Sequence, residues 1–204
     1  ADTHKMHRGL SIPDGDVLIH AGDITAKGET TALLDFAAWL DGLPHEHKIV
    51  IAGNHDWCLS SRDPVRATML KSLEESCIYL EDSSIKIDGI KFYGSPWQPE
   101  FCHWAFNLPR GKALEEKWDL IEPTTNVLIT HGPALGILDW CPGGNVGCAD
   151  LATAIGRLKQ LKYHVCGHIH ESHGVETRGD LTYINASICD GRYRPVNKPV
   201  IFDI

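Results

Sequence analysis

Eight polar side chains in this sequence are placed where chemistry is done: Asp2, His4, Asp23, Asn54, His55, His131, His168 and His170. Most of them follow a short apolar run. Val17-Leu18-Ile19-His20-Ala21 hands over to Gly22-Asp23, and Ile49-Val50-Ile51 to Gly53-Asn54-His55-Asp56. Val127-Leu128-Ile129-Thr130 ends in His131, and Tyr163-His164-Val165-Cys166 ends in Gly167-His168-Ile169-His170. Short β-branched runs read as buried strands. Polar groups at the end of a core strand cost free energy unless they have partners. In open α/β sheets, ligands sit beyond the carboxyl ends of strands.

Seven of these residues are candidate metal ligands: Asp2, His4, Asp23, Asn54, His131, His168 and His170. Mixed carboxylate, amide and imidazole donors suit Mn, Fe, Zn or Co, whereas calcium asks for nearly all oxygen. Seven donors exceed what one ion with an open position needs. They suit two ions that share a bridging carboxylate. In a strand-end H-x-H, His168 and His170 stand roughly 6–7 Å apart at the backbone and point the same way, so they can serve neighbouring ions. Two ions about 3.5–4 Å apart clamp a phosphate and activate a bridging water or hydroxide as the nucleophile. His55 then fits the acid that protonates the leaving oxygen. Asp56 beside it would orient the ring or raise its pKa. The guanidinium fork of Arg110 is a candidate phosphate contact, with a salt bridge the competing role.

The bulk composition bounds the rest. A chain of 204 residues is one domain or at most two small ones. It buries roughly 70% of its unfolded surface and folds without disulfides. A net charge of −8 disfavours a long nucleic-acid partner but leaves room for a small phosphate ester, since bound metal supplies local positive charge. Seven cysteines, an odd number with no C-x-x-C pair, read as reduced thiols of a cytoplasmic protein. No apolar run approaches the ~20 residues of a membrane span, and no signal peptide is legible, so no membrane partner is expected.

Elements must carry these tips into one place. Helices are expected over about 29–40, from Asp63-Pro64 to about 75, near 113–120 and over about 149–161. The strand–helix–strand order at the start implies parallel pairing. Short strands at 77–80, 85–87 and 91–93, with a hairpin at Asp88-Gly89, make the middle antiparallel. Three antiparallel strands are expected at the end, near 175–177, 181–185 and 200–203. Residues 95–111, rich in proline and aromatics, read as a long ordered loop. In it Trp97, Trp104 and Phe106 either pack in the core or stack a nucleobase. Only Ala1 precedes Asp2-Thr3-His4, so a natural first strand is expected to be missing. Asp2 and His4 would then be held less firmly. Among the other histidines, His20 and His164 read as packed in strands and His45 and His47 as solvated. His173 stands close enough to the H-x-H to line the pocket.

In this order and spacing, D-x-H, G-D, G-N-H-D, T-H-G and G-H-x-H resemble the calcineurin-like metallophosphoesterase superfamily over nearly the whole chain. Y-G-S-P-W, F-N-L-P-R-G and Y-I-N-A-S further resemble its metallophosphoesterase-domain-containing subgroup. The resemblance implies one domain over residues 1–204 with an α/β fold, a four-layer αββα sandwich of two mixed sheets flanked by helices. It also implies that Asp2, His4 and His170 hold a first metal, that Asn54, His131 and His168 hold a second, and that Asp23 bridges them. Two divalent ions, Mn²⁺ foremost, are the implied cofactors. The implied activity is hydrolysis of phosphodiesters or phosphomonoesters, with His55, beside Asn54, contacting the phosphate. Small phosphodiesters, nucleotides above all, are the first reading, since the chain has no large insertions over the site and is acidic. The alternatives are a phosphomonoesterase or protein phosphatase and a catalytically weak metal-binding scaffold.

Overall fold

Neighbouring residues of each apolar run face different cores, and that alternation assembles the layers. The computed structural model describes residues 1–204. Strands β1 (Val17–Ala21), β2 (His47–Ile51) and β3 (Ile78–Tyr79) form a parallel sheet in that order. Helices α1 (Thr30–Asp41) and α2 (Arg66–Glu74) make the crossovers. Val50 faces them, packing with Leu33, Phe36, Leu40, Met69 and Leu73. Ile49 and Ile51 face the other way, into a core shared with the second sheet.

That second sheet has six strands. Strands β4 (Ser83–Ile87) and β5 (Ile90–Ser95) form the hairpin at Asp88-Gly89. Strand β8 (Val127–Thr130) pairs parallel with β5, and β11 (Tyr163–Cys166) pairs parallel with β8. Strand β13 (Leu181–Asn185) pairs parallel with β11 and antiparallel with β12 (Gly174–Arg178). Phe92, Val127, Ile129, Val165 and Ile184 point inward against Ile49 and Ile51. Tyr93, Leu128 and Tyr183 point outward, beneath helices α3 (Lys112–Trp118) and α4 (Ala149–Ile155). The result is helix, sheet, sheet, helix, the expected αββα order. Gly94 marks how closely the sheets approach, since a Cβ there would lie 2.4 Å from that of Leu80.

Several boundaries differ from the sequence reading. Asp63 accepts the Val65 N–H and makes a turn, so α2 starts at Arg66. Helix α4 ends at Ile155, with Gly156 as its cap, and does not reach residue 161. The last expected strand is absent. Residues 200–203 run as coil, held by the Tyr163 hydroxyl on the Asp203 carbonyl and by Phe202 against the Tyr163 ring. The 95–111 loop contains a short parallel pair, β6 (Gln98–Pro99) with β7 (Asn107–Leu108). A short antiparallel pair, β9 (Trp140–Cys141) with β10 (Gly144–Asn145), completes the strands. All seven cysteines are unpaired. No helix is long and apolar enough to cross a membrane.

The first residues, expected to be loosely held, are well held. The Asp2 N–H donates to the Gly22 carbonyl at 2.9 Å and the His4 N–H to that of Asp23 at 3.1 Å. The Ala1 amine donates to the Ala186 carbonyl at 3.2 Å. A groove of about 360 Å³, lined by apolar residues including Leu10, Ile12, Val17, Ile19 and Val165, runs along the open edge of β1. None of the candidate ligands lines it.

Candidate metal centre

The carboxyl ends of β1, β2, β8 and β11 converge, and the loops leaving them bring the candidate ligands together. The approach is tight enough to demand glycine. A Cβ on Gly53 would sit 2.3 Å from Asp23 Oδ1, and one on Gly167 would sit 2.3 Å from Asp2 Oδ2. The backbone is strained here too. Asp2, His4, Asp23 and His168 all have positive φ, at 56°, 40°, 57° and 68°. Non-glycine residues rarely adopt that region, and each costs on the order of 1 kcal/mol or more. Such strain persists only where the surrounding structure enforces it, and it clusters at functional sites.

Four histidines share one arrangement. The Nδ1 atoms of His4, His55, His131 and His170 face the carbonyls of Thr25, Ala26, Ala21 and Asp190, at 3.2, 2.6, 2.9 and 3.1 Å. A carbonyl oxygen only accepts, so each Nδ1 carries a proton, and in the neutral ring Nε2 keeps its lone pair. All four Nε2 atoms turn into the cluster. His4 Nε2 faces His170 Nε2 at 3.3 Å. His131 Nε2 faces Asn54 Oδ1 at 2.9 Å and Asp23 Oδ1 at 3.4 Å. Neutral rings thus bring acceptor against acceptor, an arrangement that an added proton or a bound metal ion relieves. A ring fixed through one nitrogen by a carbonyl and offering the other inward is the usual second contact of a metal-bound histidine. The donor set therefore fits divalent metal.

The donors fall into groups that could each hold an ion: Asp2, His4 and His170; His4, Asp23 and His55; Asp23, His131 and His168. Asp23 is central. Its Oδ2 lies 3.8 Å from His4 Nε2, and its Oδ1 lies 3.4 Å from His131 Nε2. Asn54 Oδ1 joins His131. Asp2 accepts the His168 N–H through both oxygens, at 3.1 and 3.0 Å, and the Ser187 hydroxyl at 2.6 Å.

The electrostatics favour cations. Burial raises the Asp23 carboxyl, but the charge and hydrogen bond of His131 outweigh it and hold Asp23 below the ordinary range. Burial likewise raises Asp2, and His170 and His131 more than reverse it. Burial lowers His131, yet Asp23 overcomes it and lifts the imidazole to about 9. The same field that holds a proton on His131 holds a metal ion in its place, so the two compete. His168 is half-buried; desolvation and the neighbouring His131 charge outweigh the pull of Asp23 and Asp2 and lower it to about 3, so it offers its ring neutral.

Two candidates have other roles. Asp56 does not orient the His55 ring, whose Nδ1 is taken by Ala26. Its carboxylate accepts from Gly53 N, Ile24 N, Thr25 N and the Thr25 hydroxyl, between 2.8 and 3.2 Å. It locks the Asp23 and Asn54 loops together from beneath. Burial, with the Asp23 charge added, pushes it up to about 6. Arg110 makes neither a salt bridge nor a contact with the cluster. Its fork is filled by the Gly147 and Val146 carbonyls at 2.8 and 2.7 Å.

Among the bystanders, His20 and His164 are buried and bonded to Thr3 and Thr130. His45 is buried on the Pro13 carbonyl instead of solvated. Trp97 bonds Asp82 and stacks under Lys117, and Phe106 is core, so neither is free for a base. Ser187 and the Asp190 carbonyl support the centre although neither was a candidate site residue. Ser187 closes the Y-I-N-A-S stretch, two residues past the strand end at Asn185, but that stretch carried a resemblance and no role at the site.

Fold and donor set together define a metal-dependent phosphoester hydrolase, and the chain belongs to the calcineurin-like phosphoesterase family, whose family model matches residues 1–172. It is 45% identical over 225 residues to human metallophosphoesterase domain-containing protein 1, covering 100% of this chain and 69% of that protein. A UPF0046 protein of Caenorhabditis elegans is 40% identical, covering 100% of this chain and 79% of that one. The 3',5'-cyclic adenosine monophosphate phosphodiesterase CpdA of Escherichia coli K12 is 23% identical over 85% of this chain and 61% of its own. The crystal structure of TT1561 of Thermus thermophilus shares the fold, with a TM-score of 0.58 at 13% identity, over 89% of this chain and 79% of that one.

Proposed function

We propose that this chain hydrolyses small phosphodiesters, with nucleotides the natural class, using two divalent ions of which Mn²⁺ is the first choice, in the cytoplasm. The observation that carries the reading is the convergence of inward-facing Nε2 lone pairs on Asp23 and Asp2. Asp2, His4 and His170 would hold one ion, and Asn54, His131 and His168 the other, with Asp23 between them. When bound, such a pair polarises the phosphoryl oxygens and supplies a water acidic enough to attack at neutral pH. The similarity to a cyclic nucleotide phosphodiesterase supports the choice of a diester. The acidic chain, at net −8, supports a small substrate over a long nucleic acid.

The protein's own groups do the rest. Asn54 and His131 are buried and fixed, so their donors are set before substrate arrives. His55 stands at the rim with its Nδ1–H anchored on Ala26, so a proton gained at Nε2 points toward Asp23 and the centre. It protonates the leaving oxygen. The test is hydrolysis of bis-p-nitrophenyl phosphate by metal-stripped protein, with and without Mn²⁺, beside His55→Ala. Turnover returns with metal. On a diester with an alkoxide leaving group the variant loses about 10²-fold or more in kcat. Because p-nitrophenolate leaves readily unprotonated, the loss is smaller on bis-p-nitrophenyl phosphate. No turnover with metal restored sinks the diesterase reading, and an equal loss on both substrates sinks the acid role.

A further inference from the structure

Two aromatic rings outside the candidate ligand set stand over the centre. Trp104 lies with its ring centroid 4.2 Å from that of His55, tilted by 38°. Its loop is tied to the site by the Ala105 N–H on the Asn54 carbonyl. Tyr193 approaches from the other end of the chain. Its ring meets His4 at 4.8 Å and His170 at 5.0 Å, both edge-on, and His55 at 6.1 Å. Tyr193 lies beyond the residues that the family model matches.

Packing for stability does not explain Tyr193. The residue is 50% exposed and holds a φ of 59°, which an aromatic side chain rarely adopts. The turn beneath it is built to keep it there. The Asp190 carboxylate accepts from the backbone N–H groups of Arg192 and Arg194 and from the Arg194 guanidinium. The Asp190 carbonyl takes both the Tyr193 N–H and the His170 Nδ1–H. One short turn thus fixes a candidate metal ligand and an open aromatic face together. Trp104 is partly exposed on the same histidine, so both rings present apolar surface beside the group assigned to the ester oxygen.

The geometry points to Trp104 and Tyr193 as the walls of a subsite that takes the organic arm of the ester, and selects a flat, ring-bearing arm such as a nucleoside. Bases stack on such rings with little regard to sequence, because every base has a π-face. This deepens the phosphoester reading and rests on it for the position of the phosphate.

The test is calorimetric binding of two probes to Mn²⁺-loaded protein, AMP and orthophosphate, with bound metal counted in every variant. Trp104→Ala and Tyr193→Ala each lower the ratio of AMP to orthophosphate affinity by about tenfold. Tyr193→Phe restores the ratio, because the ring and not the hydroxyl carries it. A ratio that stays constant in both alanine variants overturns the subsite, whether the two probes weaken together or not at all. So does a wild-type protein that binds AMP no better than orthophosphate. Ring-dependent AMP binding in a protein that turns over no diester keeps the subsite and removes the diesterase reading instead.

Discussion

Asp23→Asn is expected to cut the metal content to one ion or fewer per chain and turnover by on the order of 10³-fold. Asp23 faces His4 with one oxygen and His131 with the other, at 3.8 and 3.4 Å. Asparagine replaces one of those oxygens by an amide whose N–H groups point at a cation site. The loss of one ion removes several kcal/mol of charge stabilisation, and about 4 kcal/mol is a thousandfold in rate. The change acts on metal-free protein as well. The Asp23 charge and hydrogen bond are what lift His131 to about 9 against its burial. Without them the imidazole titrates lower. Elemental analysis and an NMR titration of His131 would read the two effects separately. A variant that still binds two ions, with His131 unmoved, contradicts a bridging role for Asp23.

The second large effect is on stability. Asp56→Ala removes the acceptor for four donors, three of them buried backbone N–H groups. Each unsatisfied donor costs about 1–3 kcal/mol, so the gross loss is about 4–12 kcal/mol. Against it stands the relief of a buried charge. A folded pKa of about 6 lies above the ordinary carboxyl value, so the charged carboxylate costs the native state on the order of 3 kcal/mol at neutral pH. The net expectation is a destabilisation of about 1–9 kcal/mol, centred near 5, because the hydrogen bonds outweigh the charge. The reference is urea unfolding at pH 7 in chelator, which keeps metal linkage out of the comparison. An unchanged midpoint would show that the Asp23 and Asn54 loops hold their shape without this lock.

The pattern of apolar runs ending in Asp, Asn and His was legible in the sequence because strand ends must place such residues at one edge. Once β1, β2, β8 and β11 are strands of two facing sheets, their tips have nowhere else to go. The role of Asp56 was not legible. Adjacency in sequence paired it with His55, but successive residues in a tight loop point apart, and the N–H groups of Gly53, Ile24 and Thr25 claimed the carboxylate first. Arg110 misled for a related reason. Its guanidinium met two carbonyls of a loop some 36 residues away, a contact without periodicity or motif. Ser187, Asp190 and Tyr193 lie in coil after the last strand, where residue type alone carries little signal. The strand expected at 200–203 failed because a side-chain contact with Tyr163 holds the tail where no ladder forms.

The most direct measurement is an anomalous difference map from crystals of the protein loaded with Mn²⁺. Two peaks about 3.5–4 Å apart are expected. One should be ringed by Asp2, His4 and His170 and the other by Asn54, His131 and His168, with Asp23 touching both. A single peak, or peaks away from these side chains, would contradict a two-metal centre.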